Sequence, residues 1–327
     1  MRKWLVGLLV VLAACSGSGP GAGGPAPTST TVASPPTSTT AAGGAGPSGP
    51  STSAPGRPSG SSATLGAAHP CLGTAPGPVH HVVVIVMENR ALGDVVGSRD
   101  APYLASLAAA CGLATRYSGV AHPSLPNYIA MTSGSIHGIT DDGSPASHPV
   151  GGPSIFSLLG SDWRGLDESM PRPCDTASGG EYAAKHNPAV YYTAIAATCP
   201  ARDTALVDTA PDLSAAYTFV TPNLCNDGHD CSTATADAWL GREVPLVLGS
   251  AQYRSGGTVV FITWDENDSG GTLVPMYVLA PSVVPGTRVS VALDHYSLLR
   301  TCEELLGLSP LLGRAASATS MTGPFHL

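Results

Sequence analysis

Two long apolar runs in this 327-residue chain end in acid: His81-Val-Val-Val-Ile-Val-Met87 is followed by Glu88-Asn89, and Gly257-Thr-Val-Val-Phe-Ile-Thr-Trp264 by Asp265-Glu266-Asn267-Asp268. Clustered carboxylates repel one another and are driven toward protonation unless a cation neutralises them. Either pair alone is what a solvated loop carries. Both standing directly after apolar runs favours a shared ion. Oxygen donors suit a hard divalent cation, so calcium, magnesium or manganese is easier to justify than zinc. A second signal is Ala121-His-Pro-Ser-Leu-Pro-Asn-Tyr128, where Pro126 suits the first turn of a helix and Ser124 stands at or near its N-cap. An ordinary capping serine explains that pattern. The same position also offers free backbone N–H groups and the positive end of the helix dipole to an anion, with a hydroxyl in their midst.

Histidines supply the remaining chemistry. His229-Asp230 lies in Thr221-Pro-Asn-Leu-Cys-Asn-Asp-Gly-His-Asp-Cys231, behind an apolar run and inside a short cysteine-bounded loop. A histidine beside a carboxylate can serve as a general acid or orient one. His186, in Lys185-His-Asn-Pro188, and His295, in Asp294-His-Tyr-Ser297, are weaker cases. Most lone histidines serve structure.

These residues need elements to hold them. The run over 81–87 is continuous and β-branched, as in a strand covered on both faces of a parallel sheet. Runs over 257–264 and 273–280 share that character, with Pro275 marking a strand start or an edge, and Tyr217-Thr-Phe-Val-Thr221 is a fourth strand. Helical patterns over 101–110, 125–132, 154–159, 233–250 and 295–306 fall among them. Strands alternating with helices predict an α/β fold with its site in loops at the carboxyl ends of the strands. Residues 141–211 are irregular and punctuated by glycine and proline, and are expected to be insertions covering the site.

In this order, His81 to Met87 then Glu88-Asn89, His122-Pro-Ser-Leu-Pro-Asn-Tyr128, Lys185-His-Asn-Pro188, Pro222-Asn to Asn226-Asp-Gly-His-Asp230, and Trp264-Asp-Glu266, the chain resembles the bacterial and fungal phosphoesterase family that includes acid phosphatases and phospholipases C. The resemblance spans roughly residues 79–307. It implies an alkaline-phosphatase-like sandwich with a central, mostly parallel sheet flanked by helices, and a hydroxyl nucleophile touching a metal. It also implies that Glu88 and Asn89 form the first metal-binding pair, that Ser124 is the nucleophile and a metal contact, that Asn127 is a phosphate-contacting amide, and that Asp265 and Glu266 are the second acidic pair. Some members carry Asp-Asp where this chain has Asp265-Glu266, so the contact of Glu266 is implied less firmly.

The expected activity is hydrolysis of a small phosphorylated substrate, as an acid phosphatase acting through a phosphoseryl intermediate with one divalent ion (calcium, magnesium, manganese or zinc). Ser124, Asn127, His229, Asp230, His186 and His295 are its candidate catalytic residues. A phospholipase C-type diesterase would want an aromatic or apolar cleft, and aromatic residues are 6% of the chain. A non-catalytic surface-binding lipoprotein would not need Ser124 with both acidic pairs. No Gly-x-Ser-x-Gly elbow is present for triad chemistry, and no Cys-x-Pro-x-Arg stretch for a sulfatase. Net charge is −8, with lysine only at positions 3 and 185, which excludes a basic nucleic-acid footprint. Carboxylates gathered round a metal invert the local field, so the acidic balance does not bar an anionic substrate.

The first fifteen residues place Arg2 and Lys3 before an apolar stretch and end in Leu12-Ala13-Ala14-Cys15, the layout of an export signal. That box resembles the bacterial lipoprotein signal, in which the cysteine is lipidated. The expected location is the outer face of a membrane, anchored through Cys15, or released from it. Residues 16–68 are almost entirely Gly, Pro, Ser, Thr and Ala, with a single charge, Arg57, and only Val32 and Leu65 as larger apolar residues. They read as a disordered tether, leaving 69–327 as one catalytic domain. Among the cysteines beyond Cys15, spacing favours Cys225 with Cys231, then Cys174 with Cys199, and an odd number leaves one over. The lipid-anchor reading predicts that Cys15→Ser moves the protein from the membrane pellet to the soluble fraction on ultracentrifugation. Unchanged partitioning of that variant contradicts it.

Overall fold

The computed structural model describes residues 69–207, 213–268 and 270–327; the export signal and tether expected at 1–68 lie outside them. Its strands are β1 (His81–Met87), β2 (Gly112–Ala114), β3 (Tyr117–Ser118), β4 (Trp163–Glu168), β5 (Asp203–Leu206), β6 (Tyr217–Thr221), β7 (Thr258–Trp264), β8 (Met276–Leu279), β9 (Arg288–Val289) and β10 (Leu293–Asp294). The helices are α1 (Leu92–Val95), α2 (Pro102–Ala110), α3 (Ser124–Ser133), α4 (Ile155–Leu159), α5 (Thr233–Leu248), α6 (Ala251–Arg254), α7 (His295–Leu305) and α8 (Thr322–Phe325), with short 3-10 turns between. Eight strands form one sheet in the order β5-β4-β6-β1-β7-β8-β2-β9, and β3 pairs with β10 in a small second sheet.

The sheet is parallel from β5 to β7, while β8 runs antiparallel to both β7 and β2. β6 and β7 are buried throughout and β1 from its second residue on. Such strands can be β-branched at every position because both faces are covered. The helices pair as α2 with α5 and α3 with α7. β8 begins directly after Pro275, the position where the missing N–H costs no ladder bond.

The segment expected to be irregular, 141–211, instead holds β4 and β5 at one edge of the sheet. Their composition hides them, because Arg164, Asp167, Glu168 and Asp203 break any apolar run. Three disulfides brace the domain: Cys71–Cys111, Cys174–Cys199 and Cys225–Cys231, with Cys302 buried and free. Two are the pairs that spacing favoured. Two glycines are demanded by shape. Gly134 ends α3 at φ 74°, with a Cβ there falling 2.3 Å from the Leu312 carbonyl oxygen. At Gly119 a Cβ would fall 2.9 Å from the carbonyl oxygen of Asp265, so only glycine lets that loop approach the β7 end.

β4 and β5 carry a feature with a measurable consequence. Register sets Gly165 opposite Asp203 and Asp167 two residues further along β4, so both aspartates face the same side. Both are buried, and each keeps an Oδ1 with no hydrogen-bond partner among the described residues. Asp203 Oδ2 accepts from Asn187 Nδ2 at 2.8 Å. Burial raises both carboxyl pKa values, and the charge of Asp203 raises Asp167 further. One proton shared between the orphaned oxygens resolves the pair. The folded state then keeps a proton that the unfolded chain releases above an ordinary value of 3.8. This stability is fully present below that value and is lost as pH rises through the higher folded pKa. Asp167→Asn supplies a permanent N–H donor, so the fall in stability with rising pH should be shallower in the variant, by up to about 1.4 kcal/mol per pH unit. Denaturant melts across pH check this; parallel slopes for the two proteins refute the shared proton.

Candidate active site

Strand register assembles the acids. Met87 of β1 is paired with Trp264 of β7, so Glu88 and Asp265 are the next residues out of the sheet on neighbouring strands. The Asp265 N–H donates to the Met87 carbonyl at 3.0 Å, and the Glu88 N–H to the Asp227 carbonyl at 2.9 Å. The backbone turns sharply here: Asn89 adopts φ 58°, and its N–H donates to Asp265 Oδ1 at 3.2 Å. A non-glycine residue in the left-handed region is held there by its surroundings. Arg90 is one of those restraints, since its guanidinium donates to the carbonyls of Asn89 (2.9 Å) and Cys231 (2.7 Å) and to Thr233 Oγ1 (3.2 Å).

Ser124 is the first residue of α3, with Pro123 as the N-cap. Its hydroxyl therefore does not close the helix. Oγ instead donates toward two carboxylates, Glu88 Oε2 at 3.2 Å and Glu266 Oε1 at 3.3 Å. Glu88 Oε1 accepts from the Tyr128 hydroxyl at 2.6 Å. Glu266 Oε2 pairs with Nδ1 of His122, whose side chain is half exposed. Ser124, Glu88 and Asp265 are buried. Burial, with Asp265 and Asp227 nearby, pushes the Glu88 carboxyl well above the usual range, and burial, with Glu266 beside it, pushes Asp265 up to about 8. Burial also raises Glu266, against the pull of His122.

The donors fit a divalent cation. Asp265 Oδ2, Asp227 Oδ2 and His186 Nε2 are buried without a hydrogen-bond partner among the described residues, and orphaned polar atoms of this kind mark a missing partner. Ligand atoms of Glu88, His186 and His229 lie within 4.8 Å of one another. Carboxyl oxygens beside the Ser124 hydroxyl, with imidazole nitrogens grouped at Glu88, are the donor chemistry that a divalent ion satisfies.

Three expectations change. Asn127 is not free to hold phosphate: Oδ1 accepts from the N–H groups of Val120 (2.9 Å) and Ala121 (3.0 Å), and Nδ2 donates to the carbonyls of Ala121 (2.9 Å) and Pro123 (3.2 Å). All its hydrogen-bonding capacity goes into shaping the loop before Ser124. His295 is buried, with Nε2 donating to the Asp265 carbonyl at 2.6 Å and Nδ1 accepting from the Tyr117 hydroxyl at 2.9 Å. Burial lowers its pKa to about 4, and both ring nitrogens are taken up in bracing the chain behind Asp265. His186 is also buried and held low by burial, then by Lys185 and His229. Its ring stacks on Tyr128 at 5.2 Å, with Nε2 3.2 Å from Glu88 Oε1 and Nδ1 3.4 Å from Asp227 Oδ2. That environment suits a ligand more than an acid.

His229 and Asp230 do form the expected pair, with Nδ1 2.7 Å from Oδ1, and the histidine is partly exposed. Lys185 Nζ lies 3.4 Å from His229 Nε2 and 2.8 Å from Asp142 Oδ2. Asp142 Oδ1 in turn accepts from the Leu125 N–H at 3.0 Å, in the first turn of α3. Sequence reasoning missed His122, Lys185, Asp142 and Tyr128. Two of them left a signal: His122 is two residues before Ser124, and Lys185 is the only lysine in 69–327.

The sequence profile of the Phosphoesterase family matches residues 96–309. The chain is similar to a phosphatidylinositol-3-phosphatase of Mycobacterium tuberculosis, 34% identical over 251 residues, covering 74% of this chain and 81% of the relative. It is also similar to a probable acid phosphatase of Kluyveromyces lactis, 28% identical over 257 residues, covering 71% of this chain but 59% of that longer protein. In fold it resembles a Vibrio parahaemolyticus protein of the alkaline phosphatase superfamily, with a TM-score of 0.53 at 11% identity over 76% of this chain and 72% of the other.

The brace role of His295 is testable. His295→Gln should cost about 1–3 kcal/mol of stability through its lost buried hydrogen bonds and reduce activity, while the pH–rate profile keeps its shape. Disappearance of one limb of that profile would restore His295 as a proton-transfer group.

Proposed function

The chain belongs to the Phosphoesterase family and is a hydrolase of phosphoric esters; we propose that it is an acid phosphatase acting on phosphate monoesters through a phosphoseryl intermediate. One observation carries this reading: the Ser124 hydroxyl, at the N-terminal end of α3, is aimed at two buried carboxylates instead of capping the helix. A hydroxyl beside carboxylate acceptors at a helix N-terminus has both a route for its proton and a positive dipole end facing the anion it would attack.

A divalent ion held by Glu88 and Asp265, with Asn89, Ser124 and Glu266 as further ligands, would lower the hydroxyl pKa and offset charge on the phosphoryl oxygens. The imidazole of His186 beside Glu88 adds a nitrogen donor, which widens the choice toward manganese or zinc. The chain's own groups divide the remaining work. Glu266 accepts the Ser124 proton, with His122 holding its other oxygen. Ser124 Oγ then forms a bond to phosphorus as the ester oxygen leaves, and His229, oriented by Asp230, delivers a proton to that oxygen. Water breaks the phosphoseryl bond in a second step, releasing phosphate and returning the hydroxyl. His229 has this role because it is partly exposed, whereas His186 and His295 are buried and held neutral.

We also read residues 1–15 as an export signal and 16–68 as a tether to the membrane surface. The three disulfides support an oxidising location. No helix among the described residues is long and apolar enough to cross a membrane.

Rapid acid quench with a labelled aryl phosphate tests the central claim. Label should be trapped on the peptide carrying Ser124, and Ser124→Ala should lose several orders of magnitude in kcat with little change in melting temperature. Exhaustive chelation should also abolish turnover, and divalent ion should restore it. An active Ser124→Ala enzyme, or label on a histidine, rules out the serine nucleophile.

A further inference from the structure

The loop between α3 and α4 sets a carboxylate against the first turn of α3, one residue beyond Ser124. Asp142 is held between the Leu125 N–H at 3.0 Å and Lys185 Nζ at 2.8 Å. Leu125 directly follows Ser124, so its N–H lies beside the candidate nucleophile, and Asp142 links it to Lys185. Asp142 also acts electrostatically on Glu266 and His186, from the partly exposed side of the acidic cluster. His186 Nε2, buried without a hydrogen-bond partner, and His229, within 3.4 Å of Lys185 Nζ, border the same space.

An acidic side chain gains nothing from sitting beside other carboxylates unless cationic and N–H donors there call for an anion. A first-turn helix amide and an ammonium are such donors, and they match phosphoryl oxygens. Lys185 satisfies its charge on the partly exposed Asp142 rather than on the buried Glu88. The loop that carries Asp142 is closed mainly on itself. Asp141 Oδ1 accepts from the Gly143 N–H at 2.8 Å and pairs with His148 at 2.6 Å, on a side chain 65% exposed. Those bonds travel with the loop, and the Tyr191 hydroxyl on the Gly143 carbonyl is an outside hold.

We propose that Asp142 is a built-in competitor for the phosphoryl group: its carboxylate occupies the anion position of the resting site, and an entering phosphate monoester displaces it and takes the Leu125 N–H and Lys185 as its own donors. This rests on the reading of Ser124 as the site of phosphoryl transfer. At pH 7 a monoester carries about 1.5 to 2 negative charges and has three acceptor oxygens. A diester carries a single charge and two free oxygens, so it displaces one carboxylate with little advantage. Asp142 thereby selects monoesters over diesters, and Lys185 is a substrate-binding residue.

Calorimetric titration of inorganic phosphate into Ser124→Ala protein, at fixed divalent ion, separates the two readings because no turnover is involved. Adding Asp142→Asn, or Asp142→Ala as the second variant, should tighten phosphate binding by about tenfold, the factor expected when a self-occupied state held nine-tenths of the time is removed. Adding Lys185→Met should weaken it. In the Ser124-bearing enzyme, Asp142→Asn should narrow the kcat/KM preference for an aryl monoester over a bis-aryl diester. Phosphate affinity unchanged or weakened by both Asp142 substitutions overturns the competitor, and affinity unchanged by Lys185→Met removes Lys185 from substrate binding. A Ser124→Ala protein that still turns over sinks the nucleophile instead, and leaves the titration readable.

Discussion

Glu88 and Asp265 leave the sheet as the register pair that follows Met87 and Trp264, so two carboxyl groups enter a space from which water is excluded. Burying one unpaired carboxylate is costly, and burying several together is more so. Much of the surrounding structure answers that cost. The Tyr128 hydroxyl covers one oxygen of Glu88, the Asn89 N–H covers one of Asp265 at the expense of a left-handed backbone, and the domain's single lysine stands at the rim. What these contacts leave over is an orphaned Asp265 oxygen and raised carboxyl pKa values. A cluster that concentrates negative charge and still leaves it under-satisfied presents the donors that a cation would satisfy.

That constraint also sorts the histidines by environment. His186 and His295 are equally buried, yet they do different work because their partners differ. His295 finds a hydroxyl and a backbone carbonyl, which fix one neutral tautomer and lock the turn after β7. His186 finds only carboxylates at longer range and a stacked tyrosine. His122 and His229 are each partly exposed and each hold one carboxylate partner.

How far the sequence was legible follows from how local each signal is. Strands β1 and β6 were readable to the residue, because burial on both faces makes a strand announce itself without reference to the rest of the chain. The acidic ends and Ser124 were readable for the same reason, each being fixed by its own strand or helix. β4 and β5 were not, since their buried Asp167 and Asp203 look like loop residues until the two strands are paired. Asn127 was misread because its motif places it near the phosphate position, while the saturation of its amide depends on the fold of the loop at 120–123. Asp142 and Lys185 are 43 residues apart and meet only through tertiary packing.

The two walls of the site are secured by different means. On the His229 side, a disulfide closes six residues from Cys225 to Cys231, and Arg90 ties that loop to Asn89 and to the start of α5 through buried or half-buried bonds. Removing any of those bonds would disturb the acidic cluster itself. On the Asp142 side, the loop is braced by an exposed Asp141–His148 pair, a kind of contact that contributes about 1 kcal/mol or less. The two loops meet through Lys185, 3.4 Å from His229 Nε2 and 2.8 Å from Asp142 Oδ2, beyond the carboxyl ends of the central strands, so one wall is tied covalently and the other by polar contacts alone.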